Sequence, residues 1–323
     1  MTAALAVLAL VLAADPAAAA GEPAPAGDEQ PAELRPTVTE LRPDVLIREF
    51  LYQGAFGRVT SVFCDRDSGE IYVVDGGQST IGIFDARGAP LFAFSDEEHL
   101  AGPLRVQVDR AGRIYVLDED RTRIKVFSYR GDYLSEVDVA AIAQRPVTVT
   151  AFAIDDDDNL YVGDAIRAEI LILDHRRELR ERFGSAGTGK GEFTSIAAIA
   201  VDADRIYVAD QVGLGAQVFS RHGRFLFGFG VHEIGKKNVS LPAGIAVDPK
   251  GRFVLVDTLR HEIKYLESDG ELIDVFGGIG AGPGDVAYPT DVSIGRDGVV
   301  CVADKGNHRV QVLKPVEGIA DRP

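Results

Sequence analysis

The sequence predicts an all-β fold: a six-bladed β-propeller of four-stranded antiparallel blades, its ring closed by the N-terminal strand. One observation is a repeat. The pattern apolar-x-apolar-x-Asp recurs as IYVVD, IYVLD, LYVGD, IYVAD, FVLVD and VCVAD, ending at Asp75, Asp118, Asp164, Asp210, Asp257 and Asp304 with spacings of 43, 46, 46, 47 and 47 residues. Periods of about 40–50 residues are those of propeller blades. The other observation is a displaced strand. Five blades carry their own outer strand, the chain ends too soon for a sixth, and a segment with the outer-strand pattern stands before the first blade.

Within each unit, period-2 alternation and turn residues mark four short strands. The inner strands read SVFCD, VQVD, FAID, IAVD, IAVD and VSIG, and the repeated motif is the second strand. The third strands read IGIFD, IKVFS, ILILD, QVFS, IKYLE and VQVLK. The outer strands read PLFAF, YLSEV, LRERF, FLFGF and LIDVF. The sixth is expected to be VLIREF, residues 45–50, pairing with residues 310–313. That closure removes the two open sheet edges. A seven-bladed WD-type ring would need another unit and normally shows Trp, which this chain lacks.

The start of the chain reads as an export signal. Residues 2–14 are apolar and uncharged, and small residues 17–20 precede Gly21, so residues 1–20 are expected to be a cleaved signal peptide. The run is too short to cross a bilayer. No Lys or Arg precedes it, which leaves the true translation start open. Residues 21–43 hold five prolines and read as a semi-rigid spacer. Residues 44–314 form the propeller and 315–323 a tail. The first cysteine is Cys64, so no lipid-anchor Cys stands at the cleavage point. The expected location is the periplasm or outside the cell, as a monomer without a membrane span. A net charge of −16 argues against nucleic-acid binding.

The segments IAVDPKGRFVLVDTLRHEIKYLESDGELIDVFGG and DVSIGRDGVVCVADKGNHRVQVL, with the loop GSAGTGKGEF, resemble NHL repeats. The resemblance spans residues 45–314. It implies a six-bladed propeller that binds proteins, peptides or RNA, with an enzymatic minority that includes amidating lyases. Two turns depart from the family pattern: GGQST in the first unit and VGLG in the fourth.

In a ring, what every blade shares is structural, and function sits where symmetry breaks. The six motif Asp residues are expected to accept backbone N–H bonds in the following turn or to pair with a basic residue five positions on, as Asp304 with Arg309 and Asp118 with Arg123. Tyr72, Tyr115, Tyr161 and Tyr207 occupy one equivalent position and read as packing between blades. Alternating strands place the turns after the second strands and the loops before the inner strands on one face. That face is expected to carry Arg58, Arg105 and Arg145 at the inner-strand entries, and Arg121, Arg167, Arg260 and Lys305 after the second strands. These cations have two readings: they hold an anionic ligand at the channel mouth, or, more simply, they neutralise the Asp ring.

On the opposite face, Asp155, Asp157 and Asn159 have the opening spacing of a calcium loop, but Leu160 and Ile166 stand where Gly and Glu are needed, so a solvated hairpin is expected. Cys64 and Cys301 lie in blades that closure makes neighbours. Export permits a disulfide, yet both stand at regular strand positions where free Cys packs as a small apolar residue. The six His are His99, His175, His222, His232, His261 and His308, none on an inner strand. There is no Gly-x-Ser-x-Gly elbow and no phosphate loop. With no catalytic residues identified and no cofactor required, the expectation is an exported module that binds a protein or peptide through one loop face. The alternative is a propeller enzyme of lyase or lactonase type, with a divalent metal held by mouth Asp residues and His261 or His308.

Overall fold

A computed structural model describes residues 37–230 and 235–318. The proposed signal peptide, most of the proposed spacer and His232 lie outside the described residues. Blade 1 runs outward through Val59–Cys64, Ile71–Asp75, Thr80–Phe84 and Pro90–Ser95, each strand antiparallel to the next. Blades 2 to 5 repeat this order, with inner strands Pro103–Val108, Val149–Ile154, Ile196–Val201 and Pro242–Val247. Blade 6 consists of Pro289–Ile294, Val300–Asp304, Arg309–Gly318 and, as its outer strand, Thr37–Ile47 from the other end of the chain.

The residue pattern explains the layering. The second strands are buried along their length, as in Ile71–Asp75 and Phe253–Asp257, with only Arg205 at the start of Arg205–Asp210 part-exposed, because both faces pack against neighbouring blades. Outer strands such as Leu179–Phe183, LRERF, expose their charged positions. The core therefore lies between blades: Val254, Val256 and Ile263 of blade 5 pack on Val292, Val300 and Val302 of blade 6. The Tyr at the shared second-strand position is buried in four blades, and its hydroxyl finds a polar partner at the blade edge: Glu70 for Tyr72, Arg177 for Tyr115, Asp155 for Tyr161 and Asp202 for Tyr207.

The ring closes through the N-terminal strand, Val45 opposite Val312, Leu46 opposite Gln311 and Ile47 opposite Val310. The bounds differ from expectation at both ends. The closing strand begins at Thr37, inside the stretch read as spacer, and Val38 and Leu41 are buried in the core between blades 5 and 6. Proline does not prevent this: Pro43 stands on an edge strand beside a register shift, where a missing N–H costs no ladder bond. Glu49–Phe50 leaves the blade and pairs instead with Gly54–Ala55. The third strand of blade 6 runs on to Gly318, into the stretch read as tail.

The cysteines are joined. Cys64 of the blade 1 inner strand and Cys301 of the blade 6 second strand form a disulfide with Cα atoms 6.7 Å apart, which replaces the reading of two packed free thiols. Closure brings these two buried positions face to face, and the Cα separation lies within the range a bridge tolerates. Among the described residues no helix is long and apolar enough to cross a membrane.

The motif Asp residues are all fully buried. Each ties the loop entering an inner strand to the end of the second strand. Asp75 accepts from the N–H groups of Gly57 and Arg58, Asp210 from Thr194 and Ser195, and Asp257 from Ser240 and Leu241. The bonds to the following turn exist too, from Gly77 to Asp75 and from Ile166 to Asp164. Asp304 pairs with Arg309 as expected, at 2.7 Å. Asp118 does not pair with Arg123, whose exposed guanidinium pairs with Glu136; its partner is Lys125, two residues on from Arg123 along the same strand face, at 2.9 Å.

Asp118 gives a pH prediction. Burial alone would raise its pKa, but the Lys125 ammonium and the N–H groups of Ala101, Glu119 and Gly102 outweigh burial and hold it below the usual carboxylate value. A folded-state pKa below the unfolded one contributes stability that is present above the unfolded value near ~4 and is lost as pH falls through the folded value. The melting temperature is expected to drop below about pH 4, with a shallower drop in Asp118→Asn. An identical acid slope in that variant would show that Asp118 does not contribute.

Candidate functional site at the channel mouth

The face that carries the entry loops and second-strand turns has a pocket of about 460 Å³, lined by Gly57, Arg58, Thr258, Tyr288, Lys305, Gly306 and His308. Three blades meet there. Gly57 and Arg58 enter blade 1, Thr258 follows Asp257 of blade 5, Tyr288 enters blade 6, and Lys305, Gly306 and His308 follow Asp304 of blade 6.

Local backbone chemistry sets each wall. Arg58 is held through its own N–H to Asp75 and through Nη2 to the Gly76 carbonyl at 3.0 Å. Thr258 donates its hydroxyl to the Pro289 carbonyl at 2.7 Å. His261 and His308 stand at the same turn position, four residues after the motif Asp, and both adopt left-handed backbone, with φ of 57° and 52°. Ser79 and Ala168 do the same in blades 1 and 3. In blades 5 and 6 this position carries imidazole.

The two imidazoles use Nδ1 in opposite senses. His308 Nδ1 lies 2.5 Å from the Gly57 carbonyl oxygen, which can only accept, so Nδ1 carries a proton and donates it there, leaving Nε2 as the nitrogen without this bond. His261 Nδ1 accepts the Tyr288 N–H at 3.0 Å, so its proton sits on Nε2, and its ring meets Tyr288 edge-on at 4.6 Å.

The seven cations expected on this face divide by what holds them. Arg58 and Lys305 line the pocket. Lys305, Arg121 and Arg167 are exposed, and among the described residues their side chains have no ion-pair partner. Arg145 is committed to Asp164 and Glu169. It is aimed there by a one-turn helix, Val139–Ala143, that the sequence reading did not anticipate, although Asp138 caps it through the Ala141 N–H. Arg260 pairs with Glu262 at 2.8 Å.

Arg105 is not at the mouth but inside the channel. Its Nη1 meets Asp291 at 2.9 Å and its Nη2 donates to the Ala197 and Ala243 carbonyls at 2.6 and 2.9 Å, so one side chain from blade 2 reaches blades 4, 5 and 6. Asp291 also accepts from the Ser61 hydroxyl of blade 1 at 2.5 Å. The sequence signal is visible afterwards: a charged pair at inner-strand positions where the other blades have Ser, Ala or Gly. Beneath the pocket the channel is thus crossed by a side chain whose Nη2 donors both go to backbone carbonyls and whose Nη1 is paired with Asp291.

Asp155 on the opposite face is the hairpin expected there, accepting from the N–H groups of Asp157 and Asn159 and from the Tyr161 hydroxyl. His99 pairs with Asp96 and stacks on Tyr133, and His222 meets Glu181, all away from the pocket. Among the described residues no group of three or more His, Cys, Asp or Glu converges as a metal site. The mouth carboxylates Asp75, Asp257 and Asp304 spend their oxygens on N–H donors.

Comparison with known proteins agrees with the architecture. The family model for the NHL repeat matches residues 286–313. No curated protein matches the sequence. Among solved structures, virginiamycin B lyase from Staphylococcus aureus is 10% identical, with a TM-score of 0.56 over 80% of this chain and 95% of that one. A streptogramin B lyase is 14% identical, with a TM-score of 0.60 over 84% and 98%. A structural genomics protein of unknown function from Bacteroides thetaiotaomicron is 15% identical, with a TM-score of 0.62 over 85% and 73%. At these identities the likeness is one of fold. The chain is a six-bladed β-propeller with an NHL repeat in its closing blade.

Proposed function

We propose that this protein is an exported binding module that takes an anionic group of a protein or peptide into the channel-mouth pocket. The observation that carries the reading is the pocket itself: Arg58 and Lys305 both line it with no ion-pair partner among the described residues, beside the hydrogen-bonding groups of Thr258 and His308. In a chain of net charge −16, these two exposed cations over a crossed channel give a negative ligand group two charged partners that orient it. A disulfide between blades 1 and 6 suits the oxidising compartment that the N-terminal segment suggests.

The test is capture from the exported fraction with the full mature chain as bait, set beside Arg58→Glu/Lys305→Glu. Reversal of both charges is expected to weaken capture at least ~30-fold, two charge-assisted contacts at ~1 kcal/mol or more each. Both substitutions lie at the surface, so the melting temperature should hold. Undiminished capture by the folded double variant would refute the reading.

A second reading rests on His308, whose Nδ1 is bound to the Gly57 carbonyl, which leaves Nε2 as the ring nitrogen available to act as a general base. The virginiamycin B lyase neighbour is known as a catalytically inactive histidine-to-alanine variant, which ties that protein's activity to an imidazole. Turnover of a streptogramin B by the wild-type chain, lost in His308→Ala, would establish a lyase. No turnover by the wild-type chain would leave the binding role alone.

A further inference from the structure

The turn after each second strand is anchored by the buried motif Asp, and the residue two places beyond that Asp shows what the turn itself requires. In blades 1, 2 and 6 it is Gly77, Asp120 and Gly306, small or polar as turn chemistry favours. In blades 3, 4 and 5 it is Ile166, Val212 and Leu259, exposed by 56%, 64% and 58%. Nothing in the turn calls for a large apolar side chain: the N–H groups of Ile166 and Val212 are bound to Asp164 and Asp210 whatever side chains follow. Three successive blades thus present bulky apolar groups to water at one equivalent position on one face. Tyr288, half exposed and part of the pocket wall, continues the series from Leu259 toward Lys305 and Arg58.

Charge fixes the rest. Arg58 and Lys305 stand at one end of the series, and Arg167, with no ion-pair partner among the described residues, stands beside Ile166 at the other. Blade 2 completes the circle with five carboxylates, Asp96, Glu97, Glu98, Glu119 and Asp120, against the exposed cation Arg121. An acidic segment is therefore attracted along blades 6, 5, 4 and 3 and repelled from blade 2.

We infer that blades 3 to 6 form a docking arc for an extended segment of a partner protein, one that combines apolar side chains with carboxylates. Its carboxylate enters the pocket at Arg58 and Lys305, and its apolar residues cover Leu259, Val212 and Ile166. This rests on the proposed binding role and adds the chemistry of the ligand to it.

The probe is a phage-displayed library of random peptides selected on the full mature chain. Selected peptides are expected to be rich in Asp and Glu together with Leu, Ile or Phe. The best of them is expected to bind Ile166→Ser/Val212→Ser/Leu259→Ser at least about tenfold more weakly, with an unchanged melting temperature because all three side chains are exposed. Loss in Arg58→Glu/Lys305→Glu with full binding to the triple Ser variant would keep the pocket and overturn the arc. Loss in the triple variant alone would overturn the pocket reading and, with it, the arrangement inferred here. Basic or purely polar selected peptides would overturn the arc directly. So would self-association in sedimentation that the triple variant abolishes, which would assign the surface to a second copy of the chain.

Discussion

Cys301→Ser, or reduction of the wild-type protein, is expected to lower the melting temperature by roughly 10 °C. The bond joins residues 237 apart, so in the unfolded chain it removes the freedom of nearly the whole propeller. Loop-closure entropy for that length gives about 5 kcal/mol in the simplest model, and measured losses for native disulfides run at about 2–5 kcal/mol. The location matters as much as the size. The bridge lies across the seam where the first and last blades meet, the same seam that strand Thr37–Ile47 closes by pairing with Arg309–Gly318. Two independent fastenings therefore hold one junction. Removing residues 37–47 from the reduced protein is expected to be far more harmful than removing them from the oxidised one. Equal losses in both states would show that the two do not share the seam.

Arg309→Ala is expected to cost about 3 kcal/mol or more. Arg309 is 1% exposed and its guanidinium is spent in four directions: Asp304 at 2.7 Å and the carbonyls of Ala281, Gly282 and Asp285 at 2.8–2.9 Å. Those carbonyls belong to the glycine-rich loop that leads from blade 5 into Tyr288, so the same change should also loosen the pocket wall. Truncation leaves buried acceptors without donors, and an unpaired buried group costs more than a made bond contributes. Arg309→Lys restores the charge but not the fork, and is expected to recover only part of the loss. Urea denaturation of the three proteins measures this. A full recovery by Lys would mean that the carbonyl contacts carry no weight.

Much of the fold was legible because propeller blades repeat their chemistry in sequence. The motif Asp, the alternating apolar positions and the displaced outer strand each follow from period-2 burial and ring closure. The start of the closing strand was not, since prolines outweighed the buried Val38 and Leu41 in a reading based on composition. The disulfide was hidden because Cys64 and Cys301 stand where apolar residues also belong, and only the register across the seam decides between them. Among the cations, sequence located the face but not the partners. Arg58 and Lys305 reach the pocket, while Arg145 and Arg260 are taken by carboxylates and Arg105 turns into the channel to Asp291. Those fates depend on side-chain contacts between blades 92 to 186 residues apart in the case of Arg105, which no local pattern encodes. The apolar arc was readable all along, as Ile166, Val212 and Leu259 at one position of the repeat, and becomes informative only once their exposure is known.

The most direct test of the central claim, that binding occurs at the channel mouth, is amide hydrogen exchange of the mature chain with and without its captured partner or the best selected peptide. The account predicts protection concentrated in residues 57–58, 258–261, 286–288 and 305–308, with the hairpins of the opposite face, such as residues 155–159, unchanged. Protection of those opposite hairpins, with the mouth unaffected, would contradict it.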